Sequence, residues 1–516
     1  MKLLRYTTSL FLRAIAHIAR GAYLCLLLNL TLMNFTAIAQ DTITWGPVIQ
    51  LSSDSTENYS PRIATTDNAI HCIWLNSGDT HMKMPYVRSI NDGVSFVQPR
   101  ELVDDTTILI DSWAHSALLS DDGVVCLAFD PPVSGTNPYR SLYTMFSYDK
   151  GTTWSYPIAS SPTDNAGIFY GAAMNKDTIV VVADNKIIAY NHLGLARTTN
   201  RGTSWSWTQD SFALQSASLA LSPSTLHFTS DAGIDPTVWY GEVSYRRSTN
   251  LGATWFSTNI LSDDDIYSSD YSALGSYTDN TGNTTLALAW RDGKYGGCGF
   301  GAGVPFRLST NNGEEWREEI PLHIDNARGL LSKVAIYKNI IAVVWIDDCN
   351  HHTKVRISMN SGESWSNLYD LTSGGSLAGS PAIALSPTAV HVVWEEAKNG
   401  WHIFYRRAQL PVTSVQDDEI EKPKDIVLQQ NYPNPFNSST AIGFSMLAVG
   451  NVTLKVFDIY GKEVATILNN KQYVAGKYNA QWNAEGYASG MYFYRLSVTN
   501  NKNITSIITK KMMLMK

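Results

Sequence analysis

An eight-residue block, Ser/Thr-x-Asx-x-Gly-x-Thr/Ser-Trp, returns along most of this chain, and its spacing limits what the chain can fold into. The clearest copy runs from Ser147 to Trp154 as SYDKGTTW. Further copies begin at Thr198, Ser248, Ser309 and Ser358, and a degraded one begins at Ser89 and ends in Phe96, so successive starts lie 49 to 61 residues apart. A unit of that length is one supersecondary element, which buries its apolar face only by stacking on its neighbours. The block itself reads as a turn. The Asx side chain accepts backbone hydrogen bonds, the glycine takes a backbone angle that other residues resist, and the hydroxyls satisfy further amides. The aromatic residue is expected to cover the turn and pack on its own unit. Asp149 alone carries a carboxylate at the central position, where Asn91, Asn200, Asn250, Asn311 and Asn360 stand in the other copies. Catalysis or metal binding would not survive that exchange, so these positions, with Trp154, Trp205, Trp255, Trp316 and Trp365, read as structural.

Strands can be placed around each block. An alternating segment precedes it, such as YGEVSYRRS, and HIFYRRA has the same form. Earlier comes an apolar run ending at Trp74, Trp290, Trp345 or Trp394, and before that a segment such as SPRIA (60–64) or SPAIA (380–384). A fourth strand is expected to begin at the block's Trp. Four antiparallel strands per repeat describe a blade of a β-propeller. The count favours seven blades, and six if the weak unit around 160–230 is miscounted. Trp45 resembles the strand after a missing block, so the N-terminal strand is expected to complete the last blade and leave no open edge. An aromatic share of 11% against 16% charged residues suits many short strands. A net charge of −7 argues against a nucleic-acid partner.

The ends of the chain carry different signals. Lys2, Arg5, Arg13 and Arg20 precede an apolar run from Ala22 to Leu32, and Ala37-Ile38-Ala39 offers a cleavage site, so residues 1–39 are expected to be a signal peptide. That run is short for a membrane span, and nothing in the mature chain is long and apolar enough to be one. Of the four cysteines left after cleavage, Cys72 and Cys126 sit in expected strands as buried thiols, while Cys298 and Cys349 fall in comparable loops where a disulfide is expected for an exported protein. The propeller is expected over 40–410 and a polar linker over 411–427. A small Ig-like β-sandwich follows over 428–516, where Val452, Leu454 and Val456, then Met491 and Phe493 opposite Tyr492 and Tyr494, alternate between two faces.

Two resemblances follow. The repeated block is similar to the Asp box, or bacterial neuraminidase repeat, of sialidases and other propellers, over residues 41–410. The C-terminal stretch resembles the type A sorting domain of the type IX secretion system. Its NYPNPFN (431–437), D-x-x-G-x-x-V, G-x-Y-x-x-x-W and G-x-Y-x-Y-x-L segments and basic tail match in order. That likeness implies a Bacteroidetes-like source, the type IX machinery as partner, and a secreted or surface-attached product.

In propellers, by the same resemblance, ligands sit opposite the repeated turns. The loops expected there hold Asp111, Trp113 and His115; Asp263 to Asp265; Asp270 and Tyr271; Arg291, Asp292 and Lys294; Arg328; Asp347, Asp348, His351 and His352; and Glu395 and Glu396. A sialidase requires three arginines around a carboxylate, a Tyr–Glu pair and an Asp acid/base. Arg62 in SPRIA stands where the first arginine would be, although SPAIA has Ala382 in the same frame. Arg62, Arg291, Asp292 and Arg328 are the catalytic candidates. Arg246, Arg307, Arg356 and Arg406 occupy equivalent strand positions and read as packing. The reading assigns no cofactor and no metal, His351-His352 and the Asp263–265 run being read as polar loop residues. Two functions stay open: a surface binding module, with glycans as one ligand class, and a sialidase-like exo-glycoside hydrolase.

Overall fold

The computed structural model describes residues 43–515 except 54–55, 78–81, 104–114, 131–141, 162–168, 186–191, 214–215, 232–240, 264, 297–301, 324–328, 348, 373–375, 412–425, 447–448, 475 and 501–504. The signal segment, Asp111, Trp113, Asp264, Cys298, Arg328 and Asp348 thus lie outside the described residues. The chain divides into two compact units, Met1–Pro411 and Val412–Lys516.

Among the described residues the first unit holds seven antiparallel sheets. Their innermost strands are Asn58–Thr66, Ser116–Asp121, Phe169–Asn175, Ala217–Leu221, Ser269–Thr278, Gly329–Tyr337 and Ala378–Leu385, here the first strands of blades 1 to 7. Each of these strands touches the next, and the seventh touches the first, so the sheets form a ring. The second strand of each blade is its most apolar. Trp74, Trp290, Trp345 and Trp394 in blades 1, 5, 6 and 7 are all but inaccessible. Blade 7 takes its outer strand from the other end of the chain: Thr44 pairs with Gln409 and Trp45 with Ala408, and Ile49 and Gln50 continue along Tyr405 and Phe404.

The fourth strand differs from expectation. It does not begin at the block's aromatic residue. In blades 2, 4, 5 and 6 it is only Ile158–Ala159, Asn259–Ile260, Ile320–Pro321 and Tyr369–Asp370, each starting four residues past the Trp. The Trp faces inward to cover the turn, which keeps its own residue out of the ladder. Blade 3 is the exception, with Ser206–Ala213 running on from Trp205.

The repeated turns are nearly identical in bonding. In every copy the leading hydroxyl, from Ser89, Ser147, Thr198, Ser248, Ser309 or Ser358, accepts the glycine N–H at 2.7–3.1 Å. The Asx Oδ1 accepts the N–H four residues on at 2.8–3.0 Å. The exchange of Asp for Asn now has a mechanism. Asp149 Oδ2 accepts from the Thr153 hydroxyl at 2.8 Å, whereas Asn200 Nδ2 donates to Ser204 Oγ at 2.8 Å. Rotation of a hydroxyl hydrogen accommodates either. These bonds, the Thr153 amide foremost, hold the Asp149 carboxyl at about 2. Asp149→Asn should therefore leave thermal stability nearly unchanged, while Asp149→Ala should cost about 1 kcal/mol by loss of the turn's acceptor. Paired thermal melts check both.

The turn's aromatic residue does not pack chiefly on its own blade, contrary to expectation. Trp154 meets Tyr86 of blade 1 edge-on at 5.3 Å, Trp316 meets Tyr245 of blade 4 at 5.1 Å, and Trp365 meets Phe306 of blade 5 at 4.9 Å. Phe96 of blade 1 reaches back to Tyr405 of blade 7 at 4.8 Å. Trp255 does meet Phe228 of its own blade, at 5.8 Å. Each turn is thus mortar between blades. An arginine near the end of the third strand adds a polar tie to the same contact. Arg88 donates to Lys150 O, Arg197 to Leu251 O, and Arg407 pairs with Asp92 at 2.7 Å.

Beneath these contacts lie three buried histidines. His71, His227 and His391 each share a 2.8 Å hydrogen bond through Nδ1 with a third-strand tyrosine, Tyr86, Tyr245 or Tyr405. Burial lowers their pKa, to about 4 for His71 and about 3 for His227, with the same direction for His391. They fold neutral, and the unfolded chain takes up protons near 6.5, so their stabilisation is complete above that pH and is lost as pH falls through 6.5 toward 4. Scanning calorimetry from pH 7.5 to 4.5 should show the propeller losing about 2–3 kcal/mol for each of His71 and His227, with His391 acting in the same direction. The C-terminal unit contains no histidine and should not follow that curve.

The second unit pairs a three-stranded sheet (Ile426–Leu428, Ser439–Met446, Gly476–Asn483) with a four-stranded one (Glu463–Tyr473, Gly450–Phe457, Gly490–Asn500, Thr505–Leu514). Its first strand starts at Ile426, inside the stretch expected to be linker. Val452, Leu454 and Val456 face the core as the alternation predicts. In the Gly490–Asn500 strand the buried face is Tyr492, Tyr494, Leu496 and Val498, and Met491 is exposed. The Asn431–Asn437 stretch is knotted by side chains. Asn431 Nδ2 bonds Pro433 O and Thr440 Oγ1 at 3.0 Å, Tyr494 Oη donates to Gln429 O at 2.8 Å, and Phe436 packs on Trp482. The basic tail, with Lys510 and Lys511, is the last strand of the larger sheet.

Candidate functional site

The innermost strands surround a central cavity of about 320 Å³, lined from all seven blades. Most of its wall is small or apolar, including Ala117, Ala217, Ala273 and Ala382. Two cations break that pattern, Arg62 from blade 1 and Lys333 from blade 6. Their placement follows from a repeated irregularity. The first strands of blades 1, 5, 6 and 7 each slip register near their start, around Ser60, Tyr271, Leu331 and Ser380, and all four of these residues have positive φ. Counting from this bulge, Arg62, Ala273, Lys333 and Ala382 are equivalent, each the first residue to re-enter the ladder.

Arg62 is well held. Its Nε donates to Ser116 O at 2.8 Å, and Nη1 donates to Ser60 O and Pro61 O at 3.2 and 3.0 Å. Glu395 lies close by, accepting from Ser60 N at 2.6 Å and from Ser380 Oγ at 3.0 Å. Burial raises the Glu395 carboxyl above its usual range, against the pull of these donors and of Arg62. Water reaches Lys333, yet protein surrounds it, and this confinement, with Arg62 nearby, brings its ammonium down to about 8.

The remaining candidates are not brought together with Arg62. Arg291 is bound in a two-pronged ion pair with Asp270 and lies over the Tyr271 ring at 5.5 Å. Burial raises the Asp270 carboxyl despite that partner. Asp292 caps a short helical turn, Gly293–Tyr295, by accepting Lys294 N at 2.9 Å, and it also receives Trp290 Nε1 at 3.3 Å. Lys294 sits among Asp263, Glu319 and Asp292, and Glu319 also accepts the Tyr295 hydroxyl. Sequence reading missed this cluster, because Glu319 follows the blade 5 turn rather than lying in a loop of the expected face. His352 and Lys354 both bind Asp370 at 2.6 Å, and no group of three or more metal-ligating side chains occurs among the described residues. Arg246, Arg356 and Arg406 spend their guanidinium Nε on Thr258 Oγ1, Ser366 O and Gly46 O, a packing role. Cys349 is disulfide-bonded, and Cys72 and Cys126 are free, buried thiols.

The fold and cavity define an all-β protein, a propeller followed by a β-sandwich. Residues 430–510 match the family model of the secretion system C-terminal sorting domain, so the chain carries such a domain at its C-terminal end. Among curated proteins no match is found. Solved structures similar to the chain include the α-L-arabinanase of Penicillium chrysogenum with arabinobiose (11% identity, 70% of this chain and 98% of that one, TM-score 0.40). Others are the β-propeller domain of the trilobed protease from Pyrococcus furiosus (10%, 69% and 97%, TM-score 0.42) and the Hadza microbial sialidase Hz136 (12%, 66% and 77%, TM-score 0.39). No helix among the described residues is long and apolar enough to cross a membrane.

Proposed function

We propose that this is a seven-bladed Asp-box propeller, delivered to the cell surface or beyond by a type IX secretion system after its signal peptide is cleaved, and that the propeller binds rather than cleaves its ligand. The sorting-domain match supports the route. One observation favours binding: among the described residues, the lining of the central cavity contains no Asp or Glu. Glycosidic cleavage generally uses two carboxyl groups flanking the scissile bond. Glycans are the ligand class in this reading, and Cys298 is the partner of Cys349.

The sialidase-like alternative rests on Arg62 standing in the cavity wall. Arg291, tied to Asp270, does not support it. Purified propeller should be retained on a glycan array and should not turn over fluorogenic sialosides. Turnover that disappears in both Arg62→Ala and Arg291→Ala would reverse the reading.

A further inference from the structure

Resting on the binding reading, we propose that the ligand is a neutral oligosaccharide and that it binds at the rim of the ring, along the outer strand of blade 1 beside blade 2. Two surface cavities adjoin there, of about 450 and 390 Å³, each larger than the central one. Arg100 and Glu101, which make up that outer strand, line both. Each cavity has the volume of a small-molecule pocket, so the pair suits a chain of sugars and not a single one.

The larger cavity is aromatic and apolar. Leu102, Val103 and Met145 line it, together with Trp154 where that ring covers Tyr86. Tyr156 flanks it with 91% of its surface in water. The fold does not require an aromatic ring at this position. At the same offset from the turn's aromatic residue, blades 1, 4, 5 and 6 carry Gln98, Ser257, Glu318 and Asn367. Pro157 steers Tyr156 toward extended backbone, which restricts it before any ligand arrives. A tyrosine face offers apolar area to the C–H face of a pyranose, while its hydroxyl stays in water.

The smaller cavity offers both donors and acceptors. Asn76 is 8% exposed and donates through Nδ2 to Asn58 Oδ1 at 2.7 Å and to Thr56 Oγ1, while its own Oδ1 has no partner among the described residues. A buried acceptor left open is costly unless water or a ligand hydroxyl meets it. Lys83 pairs with Glu101 Oε1 at 2.8 Å, both side chains being about a third exposed. Arg100 donates through Nη2 to Gly151 O at 2.8 Å and lies over the Tyr86 ring, which fixes its guanidinium plane and leaves further N–H groups to offer. A sugar hydroxyl both donates and accepts, so it fits this mixed set. A carboxylate would meet Glu101 and the open Asn76 acceptor.

The test is calorimetric titration of the full mature chain with cellohexaose, maltohexaose, xylohexaose and mannohexaose, and with tetragalacturonate. At least one neutral hexaose should bind, and the disaccharide of the same linkage should bind at least about tenfold more weakly, because it cannot span both cavities. Tyr156→Ala should weaken the hexaose at least about tenfold with an unchanged melt, and Tyr156→Phe should keep wild-type affinity. Three results would overturn the inference and leave the binding reading in place: preference for tetragalacturonate over every neutral chain, equal affinity for hexaose and disaccharide, or wild-type affinity in Tyr156→Ala. Retention on the glycan array without binding of any of these hexaoses would do the same. No binding in solution and no retention on the array would remove both.

Discussion

Removal of residues 412–516 is expected to end delivery outside the cell and leave a folded propeller in the periplasm. The cut falls at the boundary between the two compact units. The C-terminal unit has its own core, built on Trp482, Phe436, Tyr494 and the Val452–Val456 face. The ring needs nothing from that unit to close, because blade 7 takes its outer strand from Thr44 and Trp45. The loss should therefore be of address and not of stability. Surface protease accessibility and fractionation measure the first, and a melt of the purified truncation measures the second. Normal surface delivery of the truncated chain would refute the sorting role. Delivery lost together with a collapsed melting transition would show that the two units depend on each other.

The second large effect is expected at the glycine of a repeated turn. Gly151 has φ near +80°, and a methyl group there would overlap the Tyr86 hydroxyl, itself fixed by His71. Gly123, in a hairpin of the same blade, has φ near +78° with open space around it. Gly123→Ala isolates the backbone cost, about 1 kcal/mol, whereas Gly151→Ala adds displacement of a buried ring, for a total of about 3–4 kcal/mol. Gly313, over Tyr245, should behave like Gly151. Denaturant unfolding of the three variants distinguishes the cases. Equal costs at Gly123 and Gly151 would mean that the turn does not bear on the neighbouring blade.

That neighbour contact marks where the sequence stopped being informative. The turn residues, the Trp-ended strands and the closing role of Trp45 were legible because each depends on local chemistry repeated at a fixed offset. Whether Trp154 rests on its own blade or the previous one depends on how blades stack, which no local pattern encodes. The two-residue outer strands were overestimated for a related reason, since β-propensity does not reveal that a Trp must turn inward. At the cavity, Arg62 and Ala382 share a frame in the sequence and the same place after a bulge in the structure. Lys333 was missed because its segment, GLLSKVAIY, shares the bulge with SPRIA and SPAIA but almost none of their residues. Arg291 and Asp292 are neighbours in the sequence, but in the structure their side chains serve different partners, Arg291 pairing with Asp270 and Asp292 capping Gly293–Tyr295.

The seam that closes the ring also dictates timing. Trp45 must find Ala408 across almost the whole propeller, and Asp92 of blade 1 must find Arg407 and Thr388 of blade 7. Contacts so distant in sequence are entropically costly to form and come late in folding. Until the seventh blade exists, the first has an uncovered side and the ring is an open arc. The sorting sequence follows that blade in the chain, so any molecule that presents its address also carries every strand needed to shut the ring. Order along the chain thus places every strand of the ring ahead of the sorting domain.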